Sequence, residues 1–284
     1  MGHSIPHSKQ YPADLPDEPW AICAPRLPPP KQRNRGGRPR TVHMREVRNP
    51  WFSLNRSGCH WDRLPHEGLP QRPVYDSLAQ WRDDGTWTKM VRVWREQTRV
   101  PAGRAPTPSA IGLESQAVQP PEVGGPARGD DGGQKLNGRK RPLLVDTLGG
   151  LAVLMTRAGL DEGVAAPLLL GDVTPHALPR LVTSVADQQE PNDALDAGRA
   201  EHRAGWPSEI PARPEGTKGW TPLAKRWGME RTTAWQGRYR RNRKDDERRP
   251  ASSTAMIHSR NIHLRLNRRC PGDRPVLPYR KKAA

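Results

Sequence analysis

Large aliphatic side chains are scarce in this chain: Leu, Ile, Val and Phe together account for 46 of 284 residues, with a single Phe. Burial of such groups is the main favourable term in folding. A share near 16%, combined with a formal charge of +17, is the compositional signature of disorder. The 32 Pro and 26 Gly point the same way. The 10 Trp do not fit simple disorder, because disordered chains are poor in aromatics. No apolar, uncharged stretch reaches the roughly 18 residues that a membrane-spanning helix needs.

The positive charge is carried mostly by Arg, 37 residues against 10 Lys. Arg suits bidentate phosphate contacts and hydrogen bonds to base edges. A polyanion is the default partner of such a chain, since counterion release favours nucleic-acid binding. Cys23, Cys59 and Cys270 form neither a C-x-x-C pair nor a disulfide framework. Cys59 lies near His60 and His66, but zinc needs four converging ligands and no fourth is offered locally. The first ten residues lack the apolar run of a signal peptide, so the expected location is cytoplasmic and nucleoid-associated.

Along the chain, residues 1–13 read as a disordered start. Asp17 is placed to cap a short helix through Trp20 and Ile22. Val42, Met44, Val47, Trp51 and Leu54 have helical spacing, which Pro50 should kink or end. Val74, Leu78, Trp81, Trp87, Val91 and Trp94 are helix-like and interleaved with Arg. Residues 14–100 are therefore expected to form a small helical DNA-binding region; a helical bundle with incidental charge fits the same residues. Residues 101–142 read as a Pro/Gly/Arg-rich connector that contains an apolar patch at 110–113. Two apolar runs in 143–155 flank Leu148-Gly149-Gly150, a hairpin signal. Residues 181–186 suggest another strand, 225–241 a basic helix with Trp227 and Trp235, and the remainder a basic tail with a helix near 256–266.

Three acids stand at or in these elements. Glu114 follows the 110–113 patch, Asp187 follows the 181–186 strand, and Glu230 lies in the basic helix. Carboxylates at the ends of adjacent strands, with one more on a helix packed against them, form a site for two divalent cations. Mg²⁺ prefers such oxygen ligands, and a metal pair can activate the attacking oxygen of a phosphodiester reaction and stabilise the leaving one. From spacing alone, three solvated surface acids are the plainer reading.

The motifs, in order, resemble a bacterial insertion-sequence transposase of the DDE class, of the IS-five-like group. The match runs from about residue 14 to about 266. It includes D-L-P-D-E-P-W, G-R-P-R-T-V, S-G-C-H-W-D-R-L-P-H and V-Y-D-S-L-A-Q-W-R-D-D-G-T-W. It continues through E-S-Q-A-V at 114–118, D-G-G-Q-K-L-N-G-R-K-R at 131–141, L-V-D-T-L-G at 144–149, A-D at 186–187 and K-R-W-G-M-E-R-T-T-A-W-Q-G-R-Y-R-R at 225–241. The resemblance implies an α/β chain whose RNase H-like mixed-sheet catalytic core, residues 110–245, follows the helical region and a linker at 101–109, with a basic tail at 246–284. It implies Glu114, Asp187 and Glu230 as catalytic and metal-binding acids for two Mg²⁺ ions, with Mn²⁺ as a substitute. It also implies hydrolysis at element ends followed by strand transfer into target DNA, in a homo-oligomer that pairs two ends.

The DNA-contacting residues expected with it are Arg226, Arg231 and Arg238 around the last acid, and Arg139, Lys140 and Arg141 in G-R-K-R. Arg35, Arg38 and Arg40 of the basic loop suit an A·T-rich minor groove, whose negative potential attracts Arg; a flexible Arg-rich linker fits the same residues. The family's first acid is Asp where this chain has Glu114, and apolar positions are occupied by Thr233 and Gln236. An inactive copy is therefore one expectation. A non-catalytic DNA-binding remnant and a basic, mostly disordered nucleic-acid binder are the alternatives.

Overall fold

The structure is a computed structural model that describes residues 11–27, 44–64, 71–120, 125–160, 162–172, 178–185, 208–209, 216 and 224–270. Four helices open the chain: α1 (Asp17–Cys23), α2 (Met44–Ser57), α3 (Gln71–Asp83) and α4 (Thr86–Arg99). Trp51, Trp81 and Trp87 meet edge to face, with ring centroids 5.0–5.3 Å apart. Such aromatic pairs contribute roughly 0.5–1.5 kcal/mol each beyond the area they bury. The Trp51 indole N–H donates to the Val74 carbonyl at 2.9 Å, and the Arg48 guanidinium lies 4.9 Å over Trp81. Tryptophan thus supplies packing that the scarce aliphatics do not.

Pro50 neither ends nor divides α2, which runs unbroken through it. Pro50 removes one backbone donor, a loss of about 3 kcal/mol in an isolated helix. Val47, Trp51, Phe52 and Leu54, all buried around it, hold the helix in place.

A mixed sheet follows. Its strands are β1 (Ala110–Val118), β2 (Gly129–Asp131), β3 (Leu136–Asp146), β4 (Gly149–Val153), β5 (Thr156–Arg157), β6 (Thr183–Val185) and β7 (Ser208–Glu209). β3 pairs antiparallel with β1 on one side and with β2, β4 and β5 on the other. β6 runs parallel to β1, and β7 parallel to β6. With β4 and β5 taken as one interrupted strand, the order is third, second, first, fourth, fifth. Three antiparallel strands are thus followed by two parallel to the first, which is the RNase H-like order.

Strand alternation sorts the two faces. Ile111, Leu113 and Leu144 pack with Leu169 and Leu170 of α5 (Glu162–Asp172). Val118, Leu143 and Val145 pack with Met229 of α6 (Ala224–Gln236) and Ile257 of α7 (Pro250–Arg269).

Three segments differ from the sequence reading. The stretch expected as a connector contains most of β3, and Arg139 and Arg141 sit at its buried centre. The acid expected at a strand end, Glu114, lies mid-strand because β1 continues through Ser115-Gln116. The helix expected near 256–266 is α7, which runs over 20 residues and is buried over most of its length, so the tail is part of the core as far as Arg269. α7 joins both cores: Met256, Ile262 and Leu266 pack with the tryptophan cluster, and Ile257 packs on the sheet. The described residues thus form a packed α/β chain rather than a mostly disordered one.

α7 also buries polar groups. Burial, helped by the charge of Arg260, pushes His258 down to about 4. The unfolded chain then binds a proton at His258 that the folded chain excludes between pH 6.5 and 4, so this part of the stability falls as pH falls through that window. A loss of about 2–3 kcal/mol is expected between pH 7 and 4.5, and His258→Gln should remove it. Denaturant titrations of both proteins at the two pH values check this, and an equal pH dependence would refute it.

Candidate active site and basic surface

β1 positions the first candidate acid. Even-numbered residues of this strand face α6 and α7, as Gly112 and Val118 show. Glu114 shares that face, half-buried, opposite Leu143 of β3. Gly112 is there for a close approach: a Cβ at this position would stand 2.4 Å from Met229 Sδ. α6 therefore lies directly on β1, and Glu230 follows Met229 in that helix. The structure brings Glu114 and Glu230 to one side of the sheet, on adjoining elements. Asp187 lies outside the described residues; the last described residue of β6, Val185, pairs with Gly112.

Arg226 Nε stands 3.4 Å from Glu230 Oε1, one helical turn away, with both side chains partly exposed. Glu114 and Glu230 are oxygen-only donors, the kind Mg²⁺ selects. Among the described residues, no three His, Cys, Asp or Glu side chains converge as a metal-binding group.

The remaining basic positions divide into two sets. Arg231 stacks over Trp235 at 4.6 Å and donates to the Thr147 carbonyl at 2.5 Å. Arg268 covers the same indole at 4.0 Å and donates to the Leu148 carbonyl at 2.5 Å. Together they fasten the β3–β4 turn to α6 and α7. Burial and the charges of Arg231 and Arg265 push Arg268 down to about 10, so it stays cationic at neutral pH. Arg238 is exposed just beyond α6, and Lys140 lies 3.6 Å from Asp131. Arg35, Arg38 and Arg40 lie outside the described residues.

Arg139 and Arg141 do not reach the surface. Arg139 bonds Asp245 at 2.7 Å and also donates to the carbonyls of Pro126, Glu247 and Arg248. Arg141 donates to the carbonyls of Asn242 and Lys244 at 2.6 and 2.8 Å. Burial pushes Arg141 down to about 10, against the upward pull of Asp245 and Asp246. The donors expected to meet phosphate are thus taken up by the chain's own backbone. Sequence gave no sign of this, because the partners lie about a hundred residues away.

A further buried pair was missed in the same way. Asp146, inside the L-V-D-T-L-G motif, bonds Arg99 at 2.7 Å and accepts the Leu148 N–H. It ties the end of α4 to the β3–β4 turn. Among the described residues, no helix is long and apolar enough to cross a membrane.

Residues 15–91 match the sequence model of the family described as "Putative transposase of IS4/5 family". No curated protein matches the chain. Among solved structures, the Mos1 strand transfer complex is similar at 13% identity over 84% of this chain and 79% of that one, with a TM-score of 0.28. A pre-cleavage Mos1 transpososome gives 13% identity over 84% and 80%, with a TM-score of 0.27. Scores this low do not establish a common fold, and the fold described above rests on its own strand order. The matched segment spans α1, α2, α3 and the first part of α4.

Proposed function

We propose that the chain is a DNA transposase of an insertion sequence that cleaves phosphodiesters at element ends with a carboxylate site formed by Glu114, Asp187 and Glu230. The observation that carries this reading is the placement of Glu114 and Glu230 on one face of an RNase H-like sheet, with α6 seated on Gly112. The parallel pairing supports the third member: β6 ends at Val185 opposite Gly112, and in the sequence Asp187 follows Val185 at the same interval as Glu114 follows Gly112. The family match over the N-terminal helices supports the same reading independently.

Three carboxylates fit Mg²⁺, or Mn²⁺ in its place, and two such ions would supply an activated water and a stabilised leaving oxygen. The chain's own residues do the positioning. β1 fixes Glu114, and the Met229–Gly112 contact fixes the height of α6 and hence of Glu230. Arg226 pairs with the Glu230 carboxylate from one turn back, and it would supply positive charge beside the scissile phosphate. Preorganised charge of this kind is the main protein contribution to phosphoryl transfer. Joining of the freed 3′ end to target DNA, and pairing of two ends in a homo-oligomer, belong to the same proposal. The N-terminal helices and the basic segment bearing Arg35, Arg38 and Arg40 would hold the end sequence.

The test is nicking of a duplex that carries the element's terminal repeats, in Mg²⁺ or Mn²⁺. Nicking that is lost in EDTA and in Glu230→Gln is expected. Binding of those ends without cleavage by any variant would instead make the chain a DNA-binding remnant.

A further inference from the structure

The segment after α6 reads in sequence as mixed charge: seven cations and three acids between Arg238 and Arg249. The fold sorts them. Asp245 is buried against Arg139, and Glu247 is held by Arg241 at 2.7 Å. What remains exposed is Arg238, Arg240, Arg243, Lys244, Arg248 and Arg249, with Asp246 the one exposed carboxylate of this segment. The outer face of the segment thus presents six cations against one carboxylate.

That face is also rigid. Arg139 and Arg141 bind four of its backbone carbonyls, and the Asp245 N–H donates to the Gln119 carbonyl at 2.9 Å. On its other side, Arg241 donates to the Cys59 carbonyl at 3.1 Å. Gly58, at φ +70, lets the Arg240 backbone pass where a Cβ would stand 2.9 Å from Arg240 Cβ. The segment is thus pinned to the sheet and to the N-terminal helices at once.

Between it and the outer half of β1 runs an open groove of about 670 Å³, lined by Gln116, Gln119, Arg240, Arg243, Lys244 and Asp246. Gln116 lies on the Glu114 face of β1, two residues or about 7 Å further along the strand. Its Oε1 is buried without a hydrogen-bond partner.

We propose that this groove is the track for the sugar–phosphate backbone of a DNA strand running to or from Glu114, with Arg240, Arg243 and Lys244 contacting phosphates. In this account Arg139 and Arg141 are positioning residues that hold the track in shape. The occupant follows from charge: a polyanion satisfies a row of fixed cations beside amide groups. The direction of the strand towards Glu114 rests on the transposase reading, whereas the track itself does not.

The test is binding of a fluorescent 40-base-pair duplex of random sequence, in EDTA, across a salt series. Each lost phosphate contact lowers the salt slope by about 0.9. Arg243→Gln with Lys244→Gln should lower it by about 2 and weaken binding on the order of 10–100-fold near 0.1 M salt. Arg157→Gln with Arg180→Gln removes two exposed charges elsewhere on the catalytic region and should leave the slope unchanged. All four residues are exposed, and equal thermal melting of both variants and the parent confirms that folding is intact. An unchanged slope in the groove variant, or equal losses in the two variants, overturns the proposal. Because no metal is present, a chain that never cleaves DNA still passes or fails this test. Conversely, Glu230-dependent nicking stands even if the groove does not bind.

Discussion

Arg139→Ala is expected to cost on the order of 3–5 kcal/mol, the usual consequence of removing one partner from a fully buried ion pair. Both side chains are sealed from water, and the alanine would leave Asp245 charged with its remaining bonds to Ser253 and the Glu247 N–H. The carbonyls of Glu247 and Arg248 would also lose their donor. Against a total stability of roughly 5–15 kcal/mol, this is enough to lower the melting temperature by about 10 °C or to abolish cooperative melting. The paired replacement Arg139→Met with Asp245→Leu should recover part of the loss, because it removes the buried charge instead of orphaning it. Calorimetry on the three proteins decides the matter. Melting of Arg139→Ala at the parental temperature would show that the pair holds nothing in place.

This arginine also marks the limit of what the sequence discloses. The helices of the N-terminal region were legible because Val47, Trp51, Leu54, Val74, Leu78 and Trp81 repeat at helical spacing, and that repeat follows directly from burial on one face. The β3–β4 hairpin was legible for the same reason, since Leu143, Leu144, Val145 and Leu151 form an apolar run on each side of a glycine turn. β3 began inside an apparent linker because Arg139, Lys140 and Arg141 hide its alternation. Burying two of those charges depends on Asp245 and on carbonyls about a hundred residues away, which no local pattern records. α7 was legible only around 256–266, and its full length and burial were not. Its Ser, His, Asn and Arg side chains are buried between two cores, so it carries no single apolar stripe. At the candidate site, Glu230 stood out by its basic signature and Glu114 by its neighbouring apolar patch. Their shared face became visible only through the register of β1 and the seat of Met229 on Gly112.

Replacing Glu114 is expected to have the largest effect on chemistry. Glu114→Ala removes one oxygen ligand of the proposed site and should lower metal-dependent nicking by at least about 10²-fold, since misplacement of a reacting group by ~1 Å already costs that much. Glu114→Asp is the informative companion. The resemblance seen in the sequence implies Asp at this position, and the extra methylene of Glu114 would then displace its carboxylate by about one carbon–carbon bond. Shortening it should raise the nicking rate above that of the parent. The three proteins are compared on the same terminal-repeat duplex, with melting temperatures measured in parallel. Equal rates in the parent and Glu114→Ala would remove this residue from the chemistry.

In the proposed reaction Glu114, Asp187 and Glu230 share one cation site. Fe²⁺, added in place of Mg²⁺ with ascorbate and peroxide, cleaves a polypeptide next to the atoms that bind it. Fragment ends are then read by mass spectrometry, with no need for a known DNA end. Cuts beside residues 114, 187 and 230 together, suppressed in parallel by excess Mg²⁺, are the predicted result. Cuts beside only one of the three, or a pattern indifferent to Mg²⁺, would contradict the site.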